Sequence, residues 1–124
     1  DHDPVEEHCL QLLLGYPELR ELAGGLLPEY FERHENRELF SRWLNAGPGL
    51  DKDETLTAVR RNGDDEVTGQ LSSLTEKPLI PLNANTRHAS FLEVASRLEE
   101  RNLKNLKSDD FLVCGINFFQ STCV

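Results

Sequence analysis

Residues 5–46 read VEEHCLQLLLGYPELRELAGGLLPEYFERHENRELFSRWLNA, a succession of short amphipathic segments separated by glycine and proline. Asp3 and Pro4 precede the first segment and predict a helix start, because Asp is a good N-cap and proline fits the first helical position. Apolar residues then recur at helical spacing up to Gly15, where we expect the helix to end. The stretch predicts an all-α fold.

Further helical segments are predicted before Gly47. A short helix at 17–23 should bury Leu19 and Leu22, and Pro28 should open a single turn that presses the aromatic residues after it inward. The helix that follows has the clearest amphipathic pattern, and its predicted buried face consists of Leu39, Phe40, Trp43 and Leu44.

The middle of the chain is also predicted to be helical. Helices at about 52–61 and 65–74 lead to a connector at 75–82, where two prolines favour an extended backbone. The DKDE sequence at 51–54 resembles the start of a calcium loop but lacks its later glycine and glutamate. We therefore interpret these acids as a solvated acidic turn or as helix-start residues.

A long helix, capped by Asn85 or Thr86, should run to about residue 107, with Glu93 and Arg97 paired across one turn. At about 20 residues it would be about 30 Å long. The predicted organisation is an acidic helical bundle at 1–84, a long helix at 85–110 that packs on the bundle or projects from it, and an apolar tail of uncertain status at 111–124.

The formal net charge is −9 and is unevenly distributed. Residues 1–76 hold 17 of the 22 carboxylates but only 7 of the 13 Lys and Arg residues. Nucleic-acid affinity rests largely on cations that neutralise phosphates, so we expect no strong direct binding of DNA or RNA. An acidic face either meets a basic protein surface or is simply solvated.

Three cysteines without regular spacing argue against a disulfide framework and favour a reducing cytoplasm. No apolar run reaches the roughly 18 residues of a membrane helix, so we expect no membrane partner. The chain begins at Asp1 and contains no Met, which predicts a fragment of a longer protein.

Catalytic signals are missing from the sequence. The four histidines are far apart, the serines lie in no GxSxG context, and the glycines precede no phosphate-binding Lys-Ser or Lys-Thr pair. We therefore predict no catalytic residue, metal site or cofactor. Asn36 and Arg37 have two interpretations: a fixed position that organises a partner surface, or local capping with an ion pair to Glu32 or Glu38.

Two segments carry a family resemblance. LLLGYPELR at 12–20, followed by FERHENRELF at 31–40, resembles the helicase-binding domain at the carboxyl end of bacterial DNA primase. EVASRLEERNLKNLK at 93–107 is similar to the long helix near the end of that domain. The match covers 5–46 well, 86–107 moderately and the middle only in helical character.

The resemblance implies a noncatalytic all-helical module: a bundle of short helices, then a long helix leading into a hairpin that contacts the amino-terminal domains of the replicative helicase. The parent chain would be a DNA primase, and the module would recruit it to the primosome for primer synthesis. The apolar tail departs from the family, which has a charged hairpin there. The predicted partner-binding residues are Arg97, Glu100, Arg101, Leu103, Lys104 and Leu106, with the two leucines equally well explained as hairpin core.

Two alternatives stay open. The amino-terminal domain of the replicative helicase has a related fold, but its usual glycine pair before an aromatic residue is not found between 63 and 92. The other alternative is a helical regulatory domain that self-associates through the apolar tail. A small enzyme is disfavoured because no nucleophile, base or metal cluster converges in the sequence.

Overall fold

The computed structural model describes residues 3–61, 65–77 and 81–114, with side chains up to Asn105. These residues contain no strand, which confirms the predicted all-α class. In chain order the elements are α1 (Pro4–Gly15), the 3₁₀ helices η1 (Pro17–Gly25) and η2 (Pro28–Tyr30), α2 (His34–Ala46), α3 (Lys52–Arg60), α4 (Asp65–Glu76) and α5 (Ala84–Cys114).

Side-chain caps fix the starts of α1 and α3. Asp3 Oδ1 accepts a hydrogen bond from the backbone N–H of Glu6 at 3.2 Å, and Pro4 is the first helical residue, as predicted. Asp51 and Glu54 form a reciprocal capping box, with N···O distances of 2.8 and 3.0 Å. The acids at 51–54 are therefore helix-start residues, the second of the two interpretations.

The segment between α1 and α2 is helical as predicted, but in the tighter 3₁₀ form. Three residues per turn place Leu19 and Leu22 on the same face. Leu19 is fully buried and Leu22 packs against the core from the side. Phe31, which follows η2, is fully buried and Tyr30 partly so, which confirms that this turn presses aromatic groups inward.

The predicted buried face of α2 was wrong at one position. Leu44 is 39% exposed, whereas Asn36 is fully buried. The buried positions Asn36, Leu39, Phe40 and Trp43 follow i, i+3, i+4, i+7 spacing, and Leu44 lies about 100° around the helix from Trp43. Because the polar Asn36 belongs to the buried face, that face is rotated by about one residue from the face predicted from apolar residues alone.

The long helix α5 begins earlier and ends later than predicted. Asn83 Oδ1 accepts a hydrogen bond from the N–H of Thr86 at 2.9 Å, so Asn83 is the cap and neither Asn85 nor Thr86 is. The helix continues to Cys114, beyond the predicted end near residue 107 and across the predicted start of the apolar tail. Residues 115–124 of that tail, like residues 78–80 of the predicted connector, lie outside the described residues.

One hydrophobic cluster joins the described elements. Phe31, Phe40 and Trp43 stack in sequence, with ring centroids 4.8 and 5.6 Å apart. Arg20 covers the Trp43 ring at 3.8 Å and donates a hydrogen bond to the Trp43 carbonyl at 2.8 Å. The α5 helix packs on α1, η1 and η2 through Phe91 and its neighbours on the same face, Val94 and Leu98. Its covered side thus faces the amino-terminal half of the fold.

Candidate partner-binding surface

Glu6, in the first turn of α1, is completely buried and is the centre of a polar network. Its carboxylate accepts hydrogen bonds from the backbone N–H groups of Glu32 and Arg33, at 2.5 and 3.4 Å. Asn36 Nδ2, at the start of α2, donates to it at 2.9 Å. Arg101 Nη2, from α5, lies 2.6 Å away. Four donors therefore compensate the burial of one carboxylate.

Arg101 forms further ion pairs that tie α5 to the bundle. Its Nη1 lies 2.9 Å from Asp3 Oδ2, and its Nε lies 3.3 Å from Glu32 Oε2. One turn further along, Asn105 Nδ2 donates to the same Glu32 oxygen at 2.8 Å. The α5 helix is consequently held on the bundle as far as Asn105, so over this length it packs and does not project.

The network extends on its other side to α4. Gln70 Nε2 donates to Asn36 Oδ1 at 2.8 Å and lies 3.3 Å from Glu7 Oε2. Lys77 Nζ forms an ion pair with Glu7 Oε1 at 2.9 Å. Glu7 is almost fully buried. Of these two consecutive acids of α1, Glu6 thus links α1 to α5, and Glu7 links it to α4.

Burial dominates the electrostatics of Glu6 and its neighbour Cys9. Burial raises the pKa of Glu6 above its ordinary value, and the hydrogen bond from Asn36 opposes that rise. Burial also raises the pKa of the Cys9 thiol to about 12, with the nearby charge of Glu6 as a second cause. A thiol with so high a pKa is a poor nucleophile. Cys9 is therefore a packing residue.

The six predicted partner-binding residues fall into different environments. Arg97, Glu100 and Lys104 are exposed, and Arg97 pairs with Glu93 at 3.6 Å across one turn, as predicted. Leu103 is 51% exposed. Arg101 lies on the covered side, where its guanidinium is bound by three carboxylates, and the side chain of Leu106 lies outside the described part.

The exposed members form two strips, not one patch. Arg97, Glu100 and Lys104 follow i, i+3, i+7 spacing and share one side of α5. Leu103 lies about 100° around the helix from Lys104, on the side that also carries the half-exposed Leu92. The sequence alone does not distinguish these two sides, because which face of α5 is covered depends on the rest of the fold.

A groove accompanies each strip. On the leucine side, a groove of about 190 Å³ lies between α5 and the two 3₁₀ helices, and we call it the η groove. On the opposite side, a groove of about 300 Å³ lies between α1 and α5 and includes Arg97, Glu93 and His8 in its lining. The η groove is lined chiefly by Leu22, Leu26, Tyr30, Leu92, Ala95 and Glu99.

Asn36 and Arg37 have separate roles. Arg37 donates to the backbone carbonyls of Phe31 and Glu32 at 3.1 and 3.2 Å and so holds the segment that precedes α2. Asn36 joins Glu6 to α4 and thereby fixes the entrance of α2. The sequence pattern singled out Asn36 but not Glu6. The available signal was a Glu adjacent to apolar positions on the inward side of α1.

The described residues contain no group of three or more His, Cys, Asp or Glu side chains placed to hold a metal ion. Within the same ranges, no helix has both the length and the apolar character needed to cross a membrane. No protein-family model matches the chain, and searches of curated proteins and of solved structures give no significant match.

Proposed function

We propose that this chain is the helicase-binding module of a bacterial DNA primase, which recruits primase to the replicative helicase for primer synthesis during DNA replication. In this role the module is noncatalytic, uses no cofactor and works in the cytoplasm. Its parent chain is a DNA primase, which is a DNA-directed RNA polymerase. The module itself binds nucleic acid weakly.

The observation that carries the proposal is the exposed outer side of a firmly held helix. Arg97, Glu100 and Lys104 are solvent-accessible on α5, while Arg101 clamps the covered side to the bundle. A helix that is already ordered loses little conformational entropy on binding, and helix faces with apolar anchors and a charged rim are common recognition surfaces. Leu103, half exposed, is such an anchor.

Two features of the sequence support the same function. The resemblance of 12–20 and 31–40 to the primase module falls on segments that build the core and the network around Glu6. The net charge of −9 favours a protein partner over nucleic acid, because phosphates would be repelled.

The test is to mix the full 124-residue chain with the hexameric replicative helicase of the same source and to measure mass by light scattering after size exclusion. We expect a complex at micromolar concentration. Arg97→Glu and Lys104→Glu should each weaken binding about tenfold, or by about 1.4 kcal/mol. The matched control is Arg60→Glu, which makes the same change of charge at an exposed position on α3.

Two results would count against the proposal. The absence of a complex with the unmodified chain would contradict it directly. A complex weakened equally by Arg60→Glu would show that net charge, and not α5, governs the association. The coding sequence upstream of Asp1 gives an independent check, because a primase carries its catalytic core and a zinc-binding domain there.

Self-association is a second candidate function, favoured by the exposure of Leu92 and Leu103 to 53% and 51%. Sedimentation of the full chain alone distinguishes it, because a helicase-binding module should sediment as a monomer. If the full chain is oligomeric, a chain that ends after Asp110 tests whether the apolar tail is the cause.

A further inference from the structure

We propose that the η groove seats an amphipathic helix of the protein partner, with apolar residues on one face and Lys or Arg along its flank. This inference rests on the proposed function, to which it adds the surface used and the chemistry of the partner. It shifts the main contact from the charged strip of Arg97 to the leucine side of α5.

Exposed leucines on α5 offer apolar contacts to a partner helix. Four large hydrophobic residues are exposed in the described part of the chain, and two of them share one side of α5. Leu92 lines the η groove, and Leu103 lies one turn beyond Glu99, another lining residue. The two leucines are eleven residues apart, which is about 16 Å along a helix. A partner helix of about three turns spans that distance. Leu22, Leu26 and Tyr30 from the 3₁₀ helices form the opposite wall.

The charge of the groove selects the partner. Glu99 is the one charged residue in its lining, and Glu21 and Glu29 are exposed in the adjoining 3₁₀ helices. A cationic flank on the incoming helix complements these carboxylates and speeds association. A second copy of this chain would bring the same acidic rim against itself, which disfavours self-association here.

The experiment measures affinity of the full chain for the replicative helicase by titration calorimetry. Leu92→Ser, Leu103→Ser and Glu99→Arg should each raise Kd about tenfold or more, since interface anchors give losses of this size. Glu99→Arg should also flatten the dependence of Kd on salt. The matched controls are Leu44→Ser on α2 and Glu76→Arg at the end of α4, both exposed and outside the groove.

Each outcome is decisive. Loss of affinity in Leu92→Ser, Leu103→Ser and Glu99→Arg, with both controls unchanged, supports the proposal. A complex that survives these three substitutions but is lost on Arg97→Glu overturns this inference while the proposed function stands. Absence of any complex with the unmodified chain overturns the proposed function and this inference with it. A dimer of the chain alone that Leu92→Ser dissociates would show that a second copy fills the groove, and would overturn the proposal.

Discussion

Replacing Glu6 by Ala should destabilise the fold strongly. The substitution removes the acceptor for the N–H groups of Glu32 and Arg33, for the amide of the fully buried Asn36 and for one end of Arg101. Each buried donor left without a partner costs about 1–3 kcal/mol. Arg101 keeps Asp3 and Glu32 as partners and is 30% exposed, so its loss is smaller.

The expected total is about 3–5 kcal/mol, the range for breaking a buried ion pair by removing one partner. That is a large part of the about 5–15 kcal/mol that stabilises a typical domain. With an unfolding entropy of about 2.1 cal/mol/K per residue, the midpoint temperature should fall by about 10–20 °C. The measurement is urea unfolding followed by the fluorescence of Trp43, the single tryptophan of the chain, which is buried.

The matched control is Glu93→Ala, which removes an i, i+4 ion pair between two exposed side chains on the same long helix. Such pairs contribute less than about 1 kcal/mol. A loss for Glu6→Ala within 1 kcal/mol of that for Glu93→Ala would refute the reasoning. A double-mutant cycle with Arg101→Ala adds a second check, because contacting residues should show a coupling free energy of at least about 0.5 kcal/mol.

Two further predictions concern pH and capping. Because burial raises the folded-state pKa of Glu6, its protonated form favours folding; this stabilisation is fully present below the unfolded pKa and is lost as pH rises through the folded pKa. The difference in unfolding free energy between the native chain and Glu6→Gln, measured by urea titration at each pH, should therefore narrow as the pH rises above about 4, where an ordinary Glu titrates. A widening difference would contradict the assigned direction. Asp51→Ala should cost about 0.5–2 kcal/mol through loss of the capping box on α3, whereas Asp53→Ala, exposed in the first turn of the same helix, should cost less; equal losses would show that the cap contributes nothing specific.

Local signals predicted much of the fold. The cap at Asp3, the acids at 51–54 and the apolar stripe of α4 act within one or two helical turns, so their consequences are readable from neighbouring residues. Val67, Leu71 and Leu74 follow helical spacing in the sequence, and all three are buried. The predicted start of α5 was wrong because Asn83, Asn85 and Thr86 can all cap a helix. Only the hydrogen bond from the Thr86 N–H to the Asn83 side chain distinguishes them.

The candidate site was less predictable because it depends on contacts distant in sequence. Helical spacing predicted the exposed strip of Arg97 and Lys104, but it could not show that Arg101 turns inward. That orientation depends on Glu6, 95 residues earlier in the chain. The separation of Leu103 from the charged strip likewise depends on where η1 and η2 cover α5.

The clamp between α1 and α5 also has a consequence for the order of folding. Arg101 joins partners 98 and 95 residues away, whereas α1, η1 and α2 contact one another over much shorter loops. Closing a long loop costs more entropy than closing a short one, and contacts of high sequence separation slow folding. We expect the amino-terminal helices to assemble first and α5 to dock last. The α5 helix would then be ordered only once the rest of the chain is in place, so a nascent or partly unfolded chain would lack the proposed partner-binding surface.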